Sequence, residues 1–235
     1  VRVVCYQAGV EGISLDDVWR TVLIECALLE ADLLVTPEYA IGGLPHTAEA
    51  ARENAIADPL DLLVYTAEAP PALTVVLGFT EDAPDGRFSS VAVISGGEIV
   101  AVVRKVNPRE PGIVAGGRSS VIDIAGVPCG ILICADVAEA KLARRLASSG
   151  ARLLICPLNN DMSLANAARW QDWSEEQLVR RARENGCWVV SADVAGRSLG
   201  RRALALTAFV QPDGRIVQRT LPDAHVTLTH DIDRI

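Results

Sequence analysis

Residues 126–150 read GVPCGILICADVAEAKLARRLASSG, and the order of strand, break and helix inside this stretch decides the fold. Residues 127–133 form a short apolar run bounded by glycine and Pro128, which predicts a buried strand, parallel to its neighbour. Cys134 stands where that run stops. From Val137 the pattern turns Ala-rich, with Leu142 and Leu146 four apart, Lys141, Arg144 and Arg145 between them, and Gly150 as a stop. That spacing predicts an amphipathic helix. Asp136 is positioned to cap it, which sets Cys134 just outside a helix N-terminus, where unpaired N–H groups favour a thiolate and an oxyanion. A free cysteine also packs commonly as a small buried hydrophobe. This stretch alone leaves both readings open.

The 235 residues show no composition break or Pro/Gly/Ser linker, so one domain over residues 1–235 is expected. Half the residues are hydrophobic, yet no run is long enough to cross a bilayer, and the opening VRVVCYQAG lacks a basic region followed by a long apolar core. The expectation is a soluble, cytoplasmic protein with no membrane partner, although Val1 need not be the native start. A formal net charge of −8 argues against a nucleic-acid partner. Six cysteines with no CxxC pair, and three histidines with no HExxH, exclude both a disulfide framework and a zinc motif. No metal site is expected, and a nucleophilic Cys134 would need a base other than histidine.

Outward from the opening stretch, the chain alternates strands and helices. VRVVCYQAG predicts a strand and residues 15–30 a helix with Val18, Val22, Ile24, Leu28 and Leu29 on its apolar face. ADLLVTPEYAIGGL predicts a buried strand ending in Pro37 and Glu38. Residues 48–68 read as helical and LTVVLGFTE as a strand. FSSVAVIS and EIVAVVRKV predict a hairpin across Gly96-Gly97, with Lys105 at its end. SSVIDIAG precedes the opening stretch as a strand, and ARLLICPLNN follows it as one. Residues 170–185 read as a helix, CWVVSAD as a strand, ALALTAFVQPDGRIVQRT as a hairpin around Pro212-Asp213-Gly214, and HVTLTHDID as an edge-like closing strand. The pattern predicts an α/β protein with mixed sheets and helices on their outer faces.

Glu38, Lys105 and Cys134 each end an apolar strand, and strand ends on one sheet edge are where sites assemble. Together they would supply a thiol nucleophile, a carboxylate to take and return its proton, and a cation for a developing oxyanion. Taken singly, Glu38 reads as a loop acid and Lys105 as a lysine reaching solvent. Their flanking residues add more. LLVTPEYAIGG around Glu38, VVRKVNP around Lys105, VPCGILICAD around Cys134, RARENGCWVVSAD from Arg181 and FVQPDGRIV from Phe209 resemble, in order, the carbon–nitrogen hydrolase family, the nitrilase superfamily of amidases, carbamoylases and nitrilases.

The resemblance implies a four-layer α-β-β-α sandwich and a Glu-Lys-Cys triad without metal or organic cofactor. It implies Glu38 as general base, Lys105 as oxyanion stabiliser, Cys134 as the acylated nucleophile, and the Ala135 N–H as second oxyanion donor. Glu110 stands where many members carry a further glutamate, in a loop shorter than usual. Ala135, the VAEA after Asp136, and the pair Asn159 and Asn160 depart from the family pattern. Tyr39, Asn159 and Asn160 are substrate-binding candidates, residues 41–46 further lining candidates, while Arg181, Glu184 and Asn185 read as a structural network at a helix end. The expected function is hydrolysis of a linear amide or carbamoyl compound, a small molecule, by a homodimer or higher homo-oligomer. Acyl transfer to another acceptor, or a catalytically silent binding protein, are the alternatives.

Overall fold

The computed structural model describes residues 1–117, 120–198, 200–221 and 226–233. Ser119 and His225, which open two of the expected strands, lie outside the described residues. Two sheets stack face to face. In the first, the order is Val194–Ala195, Arg2–Gly9, Leu33–Val35, Thr74–Ala83, Gly86–Ser95 and Glu98–Arg104. Val226–Asp231 runs antiparallel beside Arg2–Gly9, and Ala55–Ile56 parallel beside Thr74–Ala83. The second sheet runs Ile216–Arg219, Ala208–Val210, Trp188–Ala192, Leu153–Pro157, Val127–Ile131 and Ile122–Ile124. A small third sheet joins Asp161–Ser163, Arg201–Ala203 and Arg197–Ser198.

Period-2 alternation explains the layering. Val3, Cys5, Leu33 and Val35 face the second sheet and meet Cys129, Ile131, Ile155 and Val190. Their neighbours Val4, Tyr6 and Leu34 face outward and pack under α1 (Asp17–Leu28). On the other side Leu154, Cys156 and Val189 pack under α3 (Ala140–Ser148) and α4 (Leu164–Asn185). Three cores therefore separate four layers, helix, sheet, sheet, helix, as expected. No helix among the described residues is long and apolar enough to cross a membrane.

Four local expectations are corrected. First, α1 buries Trp19, Val22, Leu23 and Cys26, while Val18, Ile24 and Leu28 point to solvent. Trp19 decides the rotation, because its indole N–H donates to the Tyr65 carbonyl at 2.7 Å. Second, residues 48–68 are not one helix: α2 (Ala48–Glu53) stops at Asn54, the chain adds a strand at Ala55–Ile56, and Pro59 opens a 3-10 helix to Thr66 capped by Asp58. Third, the opening stretch does not pass directly into its helix. Cys134–Ala138 is one 3-10 turn, and α3 starts at Ala140 without a side-chain cap. Asp136 is committed elsewhere, as described below. Fourth, α4 starts six residues before Trp170, with Ser163 as its N-cap.

Candidate active site

The strands Leu33–Val35, Glu98–Arg104 and Val127–Ile131 all end toward one edge of the sandwich. Glu38 follows the first by three residues, Lys105 follows the second directly, and Cys134 follows the third by three. The chain bends hard at two of these points. Cys134 has φ +45° and Tyr39 has φ +53°, a left-handed conformation that costs a non-glycine residue free energy and is found at functional sites. Gly78 makes the bend after Pro37 possible: a Cβ there would lie 2.2 Å from the Pro37 carbonyl oxygen and 3.0 Å from the Glu38 Cα.

Lys105 and Glu38 are almost wholly removed from solvent, at 1% and 0% side-chain exposure. The Lys105 ammonium donates to Glu38 Oε1 at 2.8 Å and to Glu110 Oε1 at 2.7 Å. Ser89 Oγ donates to the same Glu38 Oε1 at 2.6 Å, and the Arg109 N–H holds the other Glu110 oxygen at 2.9 Å. Glu38 Oε2 is buried with no hydrogen-bond partner among the described residues. The partly exposed Cys134 lies close enough to feel Glu38 and Lys105, and its Sγ is 4.0 Å from the Asn159 carbonyl oxygen, too long for more than a weak contact.

The charges follow from this geometry. Burial raises the Glu38 pKa, and the attraction of Lys105 offsets it only in part. Burial also raises the Cys134 thiol well above its ordinary value, and the Glu38 charge raises it further against the pull of Lys105. For Lys105 burial acts downward, but Glu38, Cys134 and Glu110 outweigh it and hold the ammonium well above the usual range. Burial opposes ionisation of Glu110, yet Lys105 lowers its pKa. At neutral pH the site thus holds a protonated thiol beside an ammonium, with Glu110 ionised.

The surrounding residues fix these positions. The Asp136 carboxylate accepts from the Val106 N–H at 3.0 Å and from the Asn107 N–H and side-chain amide at 2.9 Å each, tying the turn of Cys134 to the loop after Lys105. Asn159 donates its amide to the Glu38 carbonyl at 3.1 Å, and Glu38 N–H donates to the Leu158 carbonyl at 3.0 Å. Asn160 donates to Asp193, which also accepts from the Val194 and Leu206 N–H groups. The side-chain amides of both asparagines are therefore taken by protein acceptors. Tyr39 is fully buried, its hydroxyl raised in pKa by burial and by Glu38 and Glu110. Ala135 is half-buried in the turn beside Cys134. His46 lies at the edge of this region, half exposed. Arg181 is buried in α4 and pairs with Glu184 at 3.0 Å, and Asn185 donates to the Arg181 carbonyl, a helix-end network as expected.

Sequence reading missed Ser89, Asp193 and the bridging role of Asp136. A serine in a hairpin strand carries no pattern that marks it, and the sequence pattern assigns Asp136 to a cap because it starts the helix one turn too early. No group of three His, Cys, Asp or Glu residues that could hold a metal is present among the described residues.

Comparison with known proteins agrees with this architecture. A protein called "Hydrolase in pqqF 5'region" from Pseudomonas protegens is 29% identical over 86% of this chain and 72% of its own length. A glutamine-dependent NAD(+) synthetase from Xanthomonas campestris is 27% identical over 79% of this chain, which spans only 34% of that larger protein. Among solved structures, a cysteine-to-serine mutant of the Nesterenkonia amidase from the nitrilase superfamily superimposes with a TM-score of 0.79 at 19% identity, covering 99% of this chain and 92% of that one. The carbon-nitrogen hydrolase family model matches residues 17–235. The sandwich, the three strand ends and a match over nearly the whole length lead to one conclusion: the chain belongs to the carbon-nitrogen hydrolase family and is an enzyme of that class.

Proposed function

We propose that this protein is a cofactor-independent thiol hydrolase that cleaves a linear amide or carbamoyl C–N bond through an acyl-enzyme on Cys134. The observation that carries the reading is the buried Lys105 ammonium, shared between Glu38 and Glu110 at 2.8 and 2.7 Å, with Glu38 Oε2 unpartnered among the described residues. A carboxylate whose second oxygen is free, and whose pKa is raised, is suited to receive a proton from a neighbouring thiol that does not ionise by itself.

As Sγ attacks the carbonyl carbon, its proton passes to Glu38 and the C=O π pair moves onto oxygen. Lys105 and the Ala135 N–H stabilise that oxyanion. Collapse of the tetrahedral intermediate breaks the C–N bond, and Glu38 returns the proton to the leaving nitrogen. A thioester remains on Cys134. Water then attacks it, giving its proton to Glu38, and Glu38 returns that proton to Sγ as the acid departs, which regenerates the thiol. Glu110 keeps Lys105 charged and aimed throughout.

This arrangement suits an amide better than a nitrile, because attack on an amide creates an oxyanion that needs a cation while attack on a nitrile first gives a thioimidate. The test is to offer amides, carbamoyl compounds and matched nitriles and to follow ammonia release together with intact mass. A transient acyl adduct on Cys134 and faster ammonia release from the amide are expected. Faster release from the nitrile would overturn the preference, and turnover surviving in Cys134→Ala would overturn the thiol mechanism.

A further inference from the structure

Asp161 opens the short strand Asp161–Ser163, two residues beyond the Asn159 whose amide holds the Glu38 backbone. Its neighbour Met162 packs into the core beneath the helices, so alternation turns Asp161 to the opposite face, toward the segment that runs from Glu38 to His46. His46 Nε2 lies 3.6 Å from Asp161 Oδ2, and Arg201 Nε donates to the same oxygen at 2.7 Å. Arg201 also donates to the Asp161 carbonyl oxygen. The residue is only 7% exposed, yet its other oxygen, Oδ1, has no hydrogen-bond partner among the described residues. Buried carboxylate oxygens are ordinarily satisfied, and one left open two residues from Asn159, whose carbonyl oxygen lies 4.0 Å from Cys134 Sγ, is an acceptor awaiting a donor.

We infer that Asp161 is a specificity-determining residue, whose Oδ1 accepts a hydrogen bond from an amino or other N–H group on the acyl portion of the substrate. The inference rests on the amidase reading above and adds the substrate class: an amide that carries a second nitrogen donor. Arg201 fixes the carboxylate by a single nitrogen on Oδ2, so the free oxygen keeps one orientation before substrate arrives. Such preorganisation rewards a donor and penalises its hydrocarbon counterpart, which would leave the oxygen buried and unpaired.

The experiment compares primary amides whose acyl chains carry an amino group, a hydroxyl, or a methyl group at the same position, with chain length varied. Wild-type kcat/KM should favour the amino compound over the methyl isostere by on the order of 10- to 100-fold at the best length. The hydroxyl compound should fall between. In Asp161→Asn the amide oxygen stays on Arg201, since a guanidinium only donates, so the NH2 takes the place of Oδ1 and presents a donor to a donor. The amino preference should then vanish or invert. Thermal unfolding of the variant, and Asp161→Ser as a second replacement, separate lost discrimination from lost folding. Binding of the same series to Cys134→Ala, measured by calorimetry, reads the preference without turnover. An amino preference in that binding supports the inference even if no amide is hydrolysed, an outcome that would instead defeat the amidase reading. Equal affinity for amino and methyl compounds, or a preference that Asp161→Asn leaves intact, overturns the inference.

Discussion

Two carboxylate–serine–cation clusters take their serines and cations from consecutive residues of the same hairpin and face opposite ways. Ser89 and Lys105 serve Glu38 between the layers, whereas Ser90 and Arg104 serve Glu81 at the sheet's outer side. In the outer cluster the guanidinium grips both oxygens of Glu81, at 2.9 and 2.6 Å, adds Asp85 at 3.2 Å and stacks on Phe88 with 3.8 Å to the ring centre. Arg104 remains 29% and Glu81 10% exposed. In the inner cluster, at 1% and 0% exposure, a single ammonium and a serine share one oxygen of Glu38, and the other has no hydrogen-bond partner among the described residues. A fork saturates its carboxylate and makes a joint; a point charge leaves valence unspent and makes a reagent. Deeper burial would by itself favour saturation, so the open oxygen of the inner cluster is the feature that the proposed proton transfer uses.

The sharpest way to break this comparison is at the open oxygen. Glu38→Gln should lower kcat by about 10²- to 10⁴-fold, the usual range for a lost general base, and kcat/KM of the wild type should fall with acid at a pH above the ordinary carboxylate value of 4.5, because burial raises Glu38. The stability change has the opposite sign. A raised folded pKa means the fold favours neutral Glu38, a contribution present at low pH and lost as pH rises through that value. Glu38→Gln should therefore raise Tm at pH 7 while destroying turnover. A variant that is both inactive and less stable would mean that the charge pair with Lys105 outweighs burial.

Next comes the point charge. Lys105→Met should reduce amide kcat/KM by about 10²- to 10³-fold, through loss of an oxyanion contact. Lys105→Arg should fail to restore it, because a fork would engage the oxygen that must stay open. Full activity in Lys105→Arg would erase the distinction drawn between the two clusters.

A smaller effect is expected from the backbone that aims Glu38. Gly78→Ala places a methyl 2.2 Å from the Pro37 carbonyl oxygen and must shift that segment. A loss in kcat of roughly tenfold or more is expected with KM changed less, since misplacement by about 1 Å costs up to ~100-fold. Unchanged kinetics would show that the segment yields without moving the carboxylate.

The smallest catalytic effect belongs to the outer cluster. Arg104→Met should leave kcat within about twofold while costing about 1–3 kcal/mol of stability, because Glu81 keeps only Ser90 as a donor among the contacts described. Urea unfolding against kcat checks both halves. A tenfold loss of kcat would show that the outer joint also sets the inner geometry through the adjoining Lys105.

Much of the site was legible because its residues terminate apolar runs. Glu38, Lys105 and Cys134 each follow a strand whose hydrophobicity is unmistakable, and their flanking motifs occur in a known order. Glu110, five residues past Lys105, was reachable the same way, although only the ion pair at 2.7 Å shows what it touches. Ser89 and Asp136 were not legible in their actual roles, since a serine in a strand and an aspartate after a cysteine have many ordinary uses.

Local patterning, then, determined the alternation of strands and helices, the hairpins at Gly96-Gly97 and Pro212-Asp213-Gly214, and which residues end which strands, because periodicity and turn chemistry act over a few residues. Tertiary structure decided what depends on contacts distant in sequence. It set the face of α1, through a bond from Trp19 to Tyr65, and the late start of α3, where Asp136 serves Val106 and Asn107 instead of capping. It also chose which oxygen of Glu38 stays free. Residues 38, 89, 105 and 110 meet only when distant strands pair into one sheet, and no local pattern encodes the donor count around a carboxylate assembled from three segments.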